Sequence, residues 1–95
     1  METSPVSVTV HVIGEVQGVG FRAWTEQTAN GLGLTGWVGN DPDGSVRAVF
    51  TGTDEAVNAM LSQLRAGGAP GSKVERITTE PADPDDTEQG FRVIV

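Results

Sequence analysis

The sequence predicts an α+β fold in two layers: an antiparallel sheet, two helices on one of its faces and an extra C-terminal strand. Three observations predict it. Val6, Val8, Val10 and Val12 occupy every second position, which marks a strand with one face toward a core. Two later stretches repeat apolar residues at three- and four-residue steps, the period of helices. Between and after them lie β-rich runs bounded by turn chemistry, Asp-Pro-Asp-Gly at 41–44 and Gly-Gly-Ala-Pro-Gly at 67–71.

Taken in order, residues 1–5 form a flexible lead-in. The first strand follows, with Ser7, Thr9 and His11 on its more polar face. A glycine-containing loop leads into a helix of about three turns that begins near Arg22. Its expected buried stripe is Phe21, Trp24, Thr28 and Leu32, with Gly33 as the stop and Leu34 folding back onto the cap. Thr35 to Asn40 is a second strand carrying Trp37 and Val38. The turn at 41–44 joins it to Val46–Thr51 as a hairpin. Thr53 is placed to cap a second helix, with Asp54 and Glu55 in its first turn and Val57, Met60, Leu61 and Leu64 as its apolar stripe. Val74–Thr79 is a fourth strand. Glu80 to Asp86 holds two prolines and four acids and is expected as an exposed loop. Phe91, Val93 and Val95 alternate as a final strand. The order β-α-β-β-α-β is the split β-α-β, or ferredoxin-like, arrangement.

Length and charge bound the function. The 95 residues fit a single domain, 1–95, able to bury one core. There are no cysteines, which excludes disulfides, thiolate nucleophiles and Cys-based metal sites. The first residues lack the basic stretch and apolar run of a secretory leader, and no apolar run reaches the ~18–20 residues of a membrane span, so a cytosolic protein is expected. Thirteen acidic residues against six basic ones leave a net charge of −7. Such a surface repels nucleic acid and anionic lipid. RNA binding on an aromatic sheet face is further disfavoured by Ser7, Thr9 and His11 on the first strand and by the absence of tyrosine. His11, the one histidine, has no Asp, Glu or His partner at metal-ligand spacing, and a structural or surface role is expected for it.

The stretch Gly14-Glu15-Val16-Gln17-Gly18-Val19-Gly20-Phe21-Arg22 carries the chemistry. Its three glycines let a loop curl with N–H groups pointing inward. A helix starting at its end adds unsatisfied N–H groups and the positive end of its dipole, and the Arg22 guanidinium completes a site for a phosphate-sized dianion. An ordinary strand-to-helix turn with a surface arginine fits the same residues. Two functions stay open on this evidence: a hydrolase acting on a small phosphorylated substrate, and a regulatory module that binds an anionic metabolite.

The same nine residues closely resemble the first signature of the acylphosphatase family. Gly36-Trp37-Val38-Gly39-Asn40, followed by Asp43-Gly44-Ser45-Val46, resembles its second. Leu32-Gly33-Leu34 matches between them, and the likeness runs from about Val8 to Val95. The resemblance implies hydrolysis of a small acyl phosphate by a monomer without cofactor or metal. It implies that Arg22 binds the phosphate, that Asn40 orients the attacking water, and that the amides of Glu15, Val16, Gln17, Gly18, Val19 and Gly20 complete the cradle. Glu15 and Gly39 depart from the family, many of whose members carry a basic residue at each position.

Overall fold

The computed structural model describes residues 5–17, 20–83 and 90–94. Seven elements follow in the order β1 (Val6–Glu15), α1 (Phe21–Gly31), β2 (Thr35–Asn40), β3 (Val46–Gly52), α2 (Asp54–Arg65), β4 (Lys73–Ala82) and β5 (Phe91–Val93). Val95, expected in the last strand, and the acids at 85–86 lie outside the described residues.

The strands form one sheet in the order β4-β1-β3-β2-β5. The alternating valines of β1 explain the register: Val10 pairs with Ala48 and Val12 with Val46, placing small apolar side chains together on one face. Both helices cover that face. Phe21, Leu34, Val38, Phe50, Met60 and Leu64 meet there in the core, each 1% exposed or less. Thr53 Oγ1 accepts a hydrogen bond from Ala56 N at 3.1 Å and caps α2 as expected. At the end of α1, Leu34 N donates to Ala29 O (2.9 Å) and Gly33 N to Asn30 O (3.1 Å), the paired bonds of a Schellman cap.

Three expectations need correction. The buried stripe of α1 is Phe21, Thr25 and Ala29; Trp24, Thr28 and Leu32 are half-buried beside it. Strict i+4 spacing wins because α1 sits close over the sheet, and the small Thr25 and Ala29 allow that approach. Thr25 hides its hydroxyl by donating to Phe21 O at 2.8 Å.

Secondly, β4 does not stop at Thr79. It continues through Glu80, Pro81 and Ala82, with Pro81 opposite Val8. Proline lacks a donor, but β4 is an edge strand paired only to β1 among the described residues, so the missing N–H is tolerated.

Thirdly, the sheet is mixed, because β5 runs parallel to β2. β4 ends beside Ser7, at the edge where β2 begins. A strand that starts from that edge and lies beside β2 must run in the same direction. Phe91 then stacks on Phe50, with centroids 5.1 Å apart and an interplanar angle of 8°. That contact brings the short strand into the core.

Candidate active site

β1 and β2 are both antiparallel to β3, so their C-terminal ends lie at the same edge of the sheet. The loop into α1 leaves from that edge. Gly14 is required there: a Cβ on it would lie 2.1 Å from Lys73 O, where β4 crosses beside a bulge in β1. Gly20 ends the loop as the N-cap of α1 with φ 74°, a left-handed conformation that glycine adopts without strain. Gly18 and Val19 lie outside the described residues.

The two helix starts differ in a way that bears on ligand chemistry. α2 has a capping threonine and two acids in its first turn. α1 has no side-chain cap and no acid in its first turn. Its first N–H groups and dipole are left available to an external anion.

Arg22, half-buried in that first turn, lines a cavity of about 270 Å³ with Val16, Gly20, Phe21, Ala23 and Val93. A larger cavity of about 570 Å³ is lined by Glu15, Gln17, Asp43, Ser45 and Glu75 among others. Its charged residues are three carboxylates without a cation, so it repels a phosphate. Among the described residues, Arg22 is the one charged residue of the smaller cavity, so that cavity suits an anion better than the larger one does. Glu15 is exposed and belongs to the larger cavity, as do Gln17 and the flank of Val16.

Asn40 is the last residue of β2. It pairs with Val46, which pairs with Val12 on β1, so its side chain lies on the helix-covered face. It does not line the Arg22 cavity itself, but Val93 does, and Val93 pairs with Val38 two residues before Asn40. Asn40 Oδ1 is buried without a hydrogen-bond partner among the described residues. An orphaned buried acceptor costs about 1–3 kcal/mol, so Asn40 carries a polar group that the described residues do not use.

The turn after Asn40 is held by a polar network that sequence spacing did not reveal. His11 Nε2 lies 2.6 Å from Ser45 Oγ and 3.5 Å from Asp41 Oδ2. Ser45 donates its N–H (2.9 Å) and its hydroxyl (2.5 Å) to Asp43 Oδ1. Those bonds, with a smaller contribution from His11, hold the Asp43 carboxyl below its ordinary pKa. Arg47 donates Nε and Nη2 to Asp41 Oδ2, each at 3.1 Å. Contrary to the sequence reading, His11 does have acidic neighbours: one ligand atom each from His11, Asp41 and Asp43 lie within 4.8 Å of one another. They come from a turn some thirty residues away. Because Arg47 already engages Asp41 and Ser45 engages Asp43, the arrangement works as an ion-pair and hydrogen-bond network that fixes the turn. Ser45, inside the Asp-Gly-Ser-Val stretch, was the one available hint of it.

The acylphosphatase family profile matches residues 8–93. Acylphosphatases of Rhizobium etli and Mycolicibacterium smegmatis are 47% and 49% identical over 87 and 86 residues, covering 92% and 90% of this chain and 92% and 85% of theirs. The crystal structure of acylphosphatase from Bacillus subtilis has a TM-score of 0.88 at 30% identity, over 95% of this chain and 99% of that one. An acylphosphatase from Coxiella burnetii gives 0.88 at 33% identity, over 95% and 93%. With the family profile, these relatives and the ferredoxin-like fold in agreement, the chain belongs to the acylphosphatase family.

Proposed function

We propose that this chain hydrolyses the carboxyl–phosphate bond of small acyl phosphates, releasing a carboxylate and inorganic phosphate. The observation that carries the proposal is the uncapped, acid-free start of α1 with Arg22 opening onto one cavity, at the sheet edge where Asn40 holds a buried carboxamide oxygen unpaired among the described residues. The protein is otherwise acidic, with net charge −7, so anion binding depends on this local positive potential.

In this mechanism the Arg22 guanidinium grips two phosphoryl oxygens, a bidentate geometry suited to phosphate. The backbone N–H groups of residues 15–20 and the helix dipole share the remaining charge. Asn40 orients the attacking water through its carboxamide, which can accept and donate at once without changing charge. An acyl phosphate is a mixed anhydride with a stable carboxylate leaving group, so no strong general base is demanded. Holding water and phosphorus in line and offsetting charge on the phosphoryl oxygens supplies the rate. The chemistry calls for neither metal nor cofactor, and turnover is expected to persist in a chelator. We place the enzyme in the cytosol as a monomer, which light scattering checks against its 9.9 kDa mass.

Release of inorganic phosphate from acetyl or benzoyl phosphate tests the proposal. Arg22→Ala is expected to lower turnover by at least about a hundredfold and to abolish inhibition by phosphate, with an unchanged far-UV spectrum. An inactive wild-type protein that still binds phosphate through Arg22 would instead make it an anion-binding module.

A further inference from the structure

The edge strand β5 is clasped by α1 in a way that fixes what stands next to Arg22. Asn30 Nδ2 donates to Phe91 O and Asn30 Oδ1 accepts from Phe91 N, both at 3.0 Å. Glu26, one turn earlier, accepts from Val93 N through Oε2 at 3.2 Å. These are groups that a further strand would bind at the free edge of β5, and here two helix side chains take its place. On the other side of the strand, Ile94 N donates to Val38 O at 2.9 Å.

Asn30, Glu26 and Arg22 are spaced i, i−4 and i−8, so they share one face of α1. That face runs along β5 with Asn30 at Phe91 and Glu26 at Val93. Arg22 is the next residue along it, which is why Arg22 and Val93 line one cavity.

Among the described residues, the walls of that cavity are apolar apart from Arg22 and the Gly20 backbone. Val16 and Phe21 are committed to the core, 3% and 1% exposed. Val93 is 36% exposed and is, with Ile94, one of two large hydrophobics left at the surface among the described residues. A cation with an uncovered aliphatic wall beside it suits a ligand with an anionic head and an apolar body.

We infer that Val93 is the wall of an acyl-binding subsite and selects acyl phosphates with an apolar acyl group. The inference rests on the reading that Arg22 holds the substrate phosphate. The phosphoryl end sits at Arg22 and the α1 N-terminus, and the acyl end packs on Val93 and Ala23. Glu26 and Asn30 are positioning residues for this wall.

The test compares kcat/KM for benzoyl and acetyl phosphate, with inhibition by inorganic phosphate measured on the same samples. Val93→Thr keeps the shape and adds a hydroxyl, and Val93→Ile keeps the apolar character. The benzoyl-to-acetyl preference is expected to fall about three- to tenfold in Val93→Thr and to be kept or raised in Val93→Ile. Phosphate inhibition is expected to shift less than about twofold in both, since phosphate has no acyl group to lose contact with Val93. An unchanged preference in Val93→Thr overturns the subsite while leaving the proposed function intact, provided Arg22→Ala still loses phosphate inhibition. Phosphate inhibition that survives Arg22→Ala removes the underlying reading and the subsite with it.

Discussion

His11 Nε2 sits 2.6 Å from Ser45 Oγ, across 34 residues of sequence. Ser45 has one hydroxyl proton and gives it to Asp43, so its oxygen can only accept from the histidine. His11 must therefore carry a proton on Nε2. Nitrogen chemical shifts of the imidazole should show a proton on Nε2. The Nδ1–H tautomer would contradict the network. Removing the ring in His11→Ala is expected to cost about 1–2 kcal/mol in urea unfolding, the range for losing one partly buried hydrogen bond.

Asp43 predicts an acid-side effect. Its carboxyl is held below the ordinary value by the two Ser45 donors, so the folded state favours the ionised form. That contribution is present above the unfolded pKa, near about 3.9, and is lost as pH falls through the lower folded value. Asp43→Asn should melt below the parent at about pH 7, with the gap closing toward about pH 3 as the parent protonates. Melting curves of both proteins across that range are the check, and a gap that widens in acid would contradict the sign.

Asn40→Ala separates water positioning from phosphate binding. A fall of about 10²–10³ in kcat is expected, with phosphate inhibition within about twofold of the parent. Because Asn40 Oδ1 has no protein partner among the described residues, its removal should leave stability equal or higher. Parent-like turnover would show that the carboxamide does not hold the water.

Glu15 lies opposite Lys73 across the β1–β4 pair and is exposed. It does not line the Arg22 cavity, so any effect of its carboxylate on the proposed anion site acts through solvent. Glu15→Gln should tighten phosphate inhibition modestly at low ionic strength, and the gain should vanish at about 0.15 M salt, where the screening length is about 8 Å. Inhibition measured at the two ionic strengths decides it.

Much of the fold was legible because its signals are local. The valines of β1, the cap at Thr53, the stop at Gly33 and the turn at 41–44 each depend on neighbours within a few residues. The errors arose where the partner was distant. Pro81 looks incompatible with a strand until β4 is known to be an edge. The β5 segment has no marker of direction, and its parallel pairing follows from where β4 ends. Thr25 and Ala29 became the buried stripe of α1 because a sheet lies close beneath them.

For the site, the sequence by itself pointed to the residues proposed for anion chemistry: a glycine loop, a helix start without acids, and Arg22. These are consecutive, so their chemistry is set by the order of the chain. Tertiary structure alone decided what surrounds them. It set Val93 beside Arg22 through the hydrogen bonds of Asn30 and Glu26, and it turned Glu15 out to solvent. It also brought His11 to Ser45 and left Asn40 Oδ1 unpaired among the described residues. Each depends on strand register and helix docking, which are fixed by burying the shared core rather than by any local run of residues.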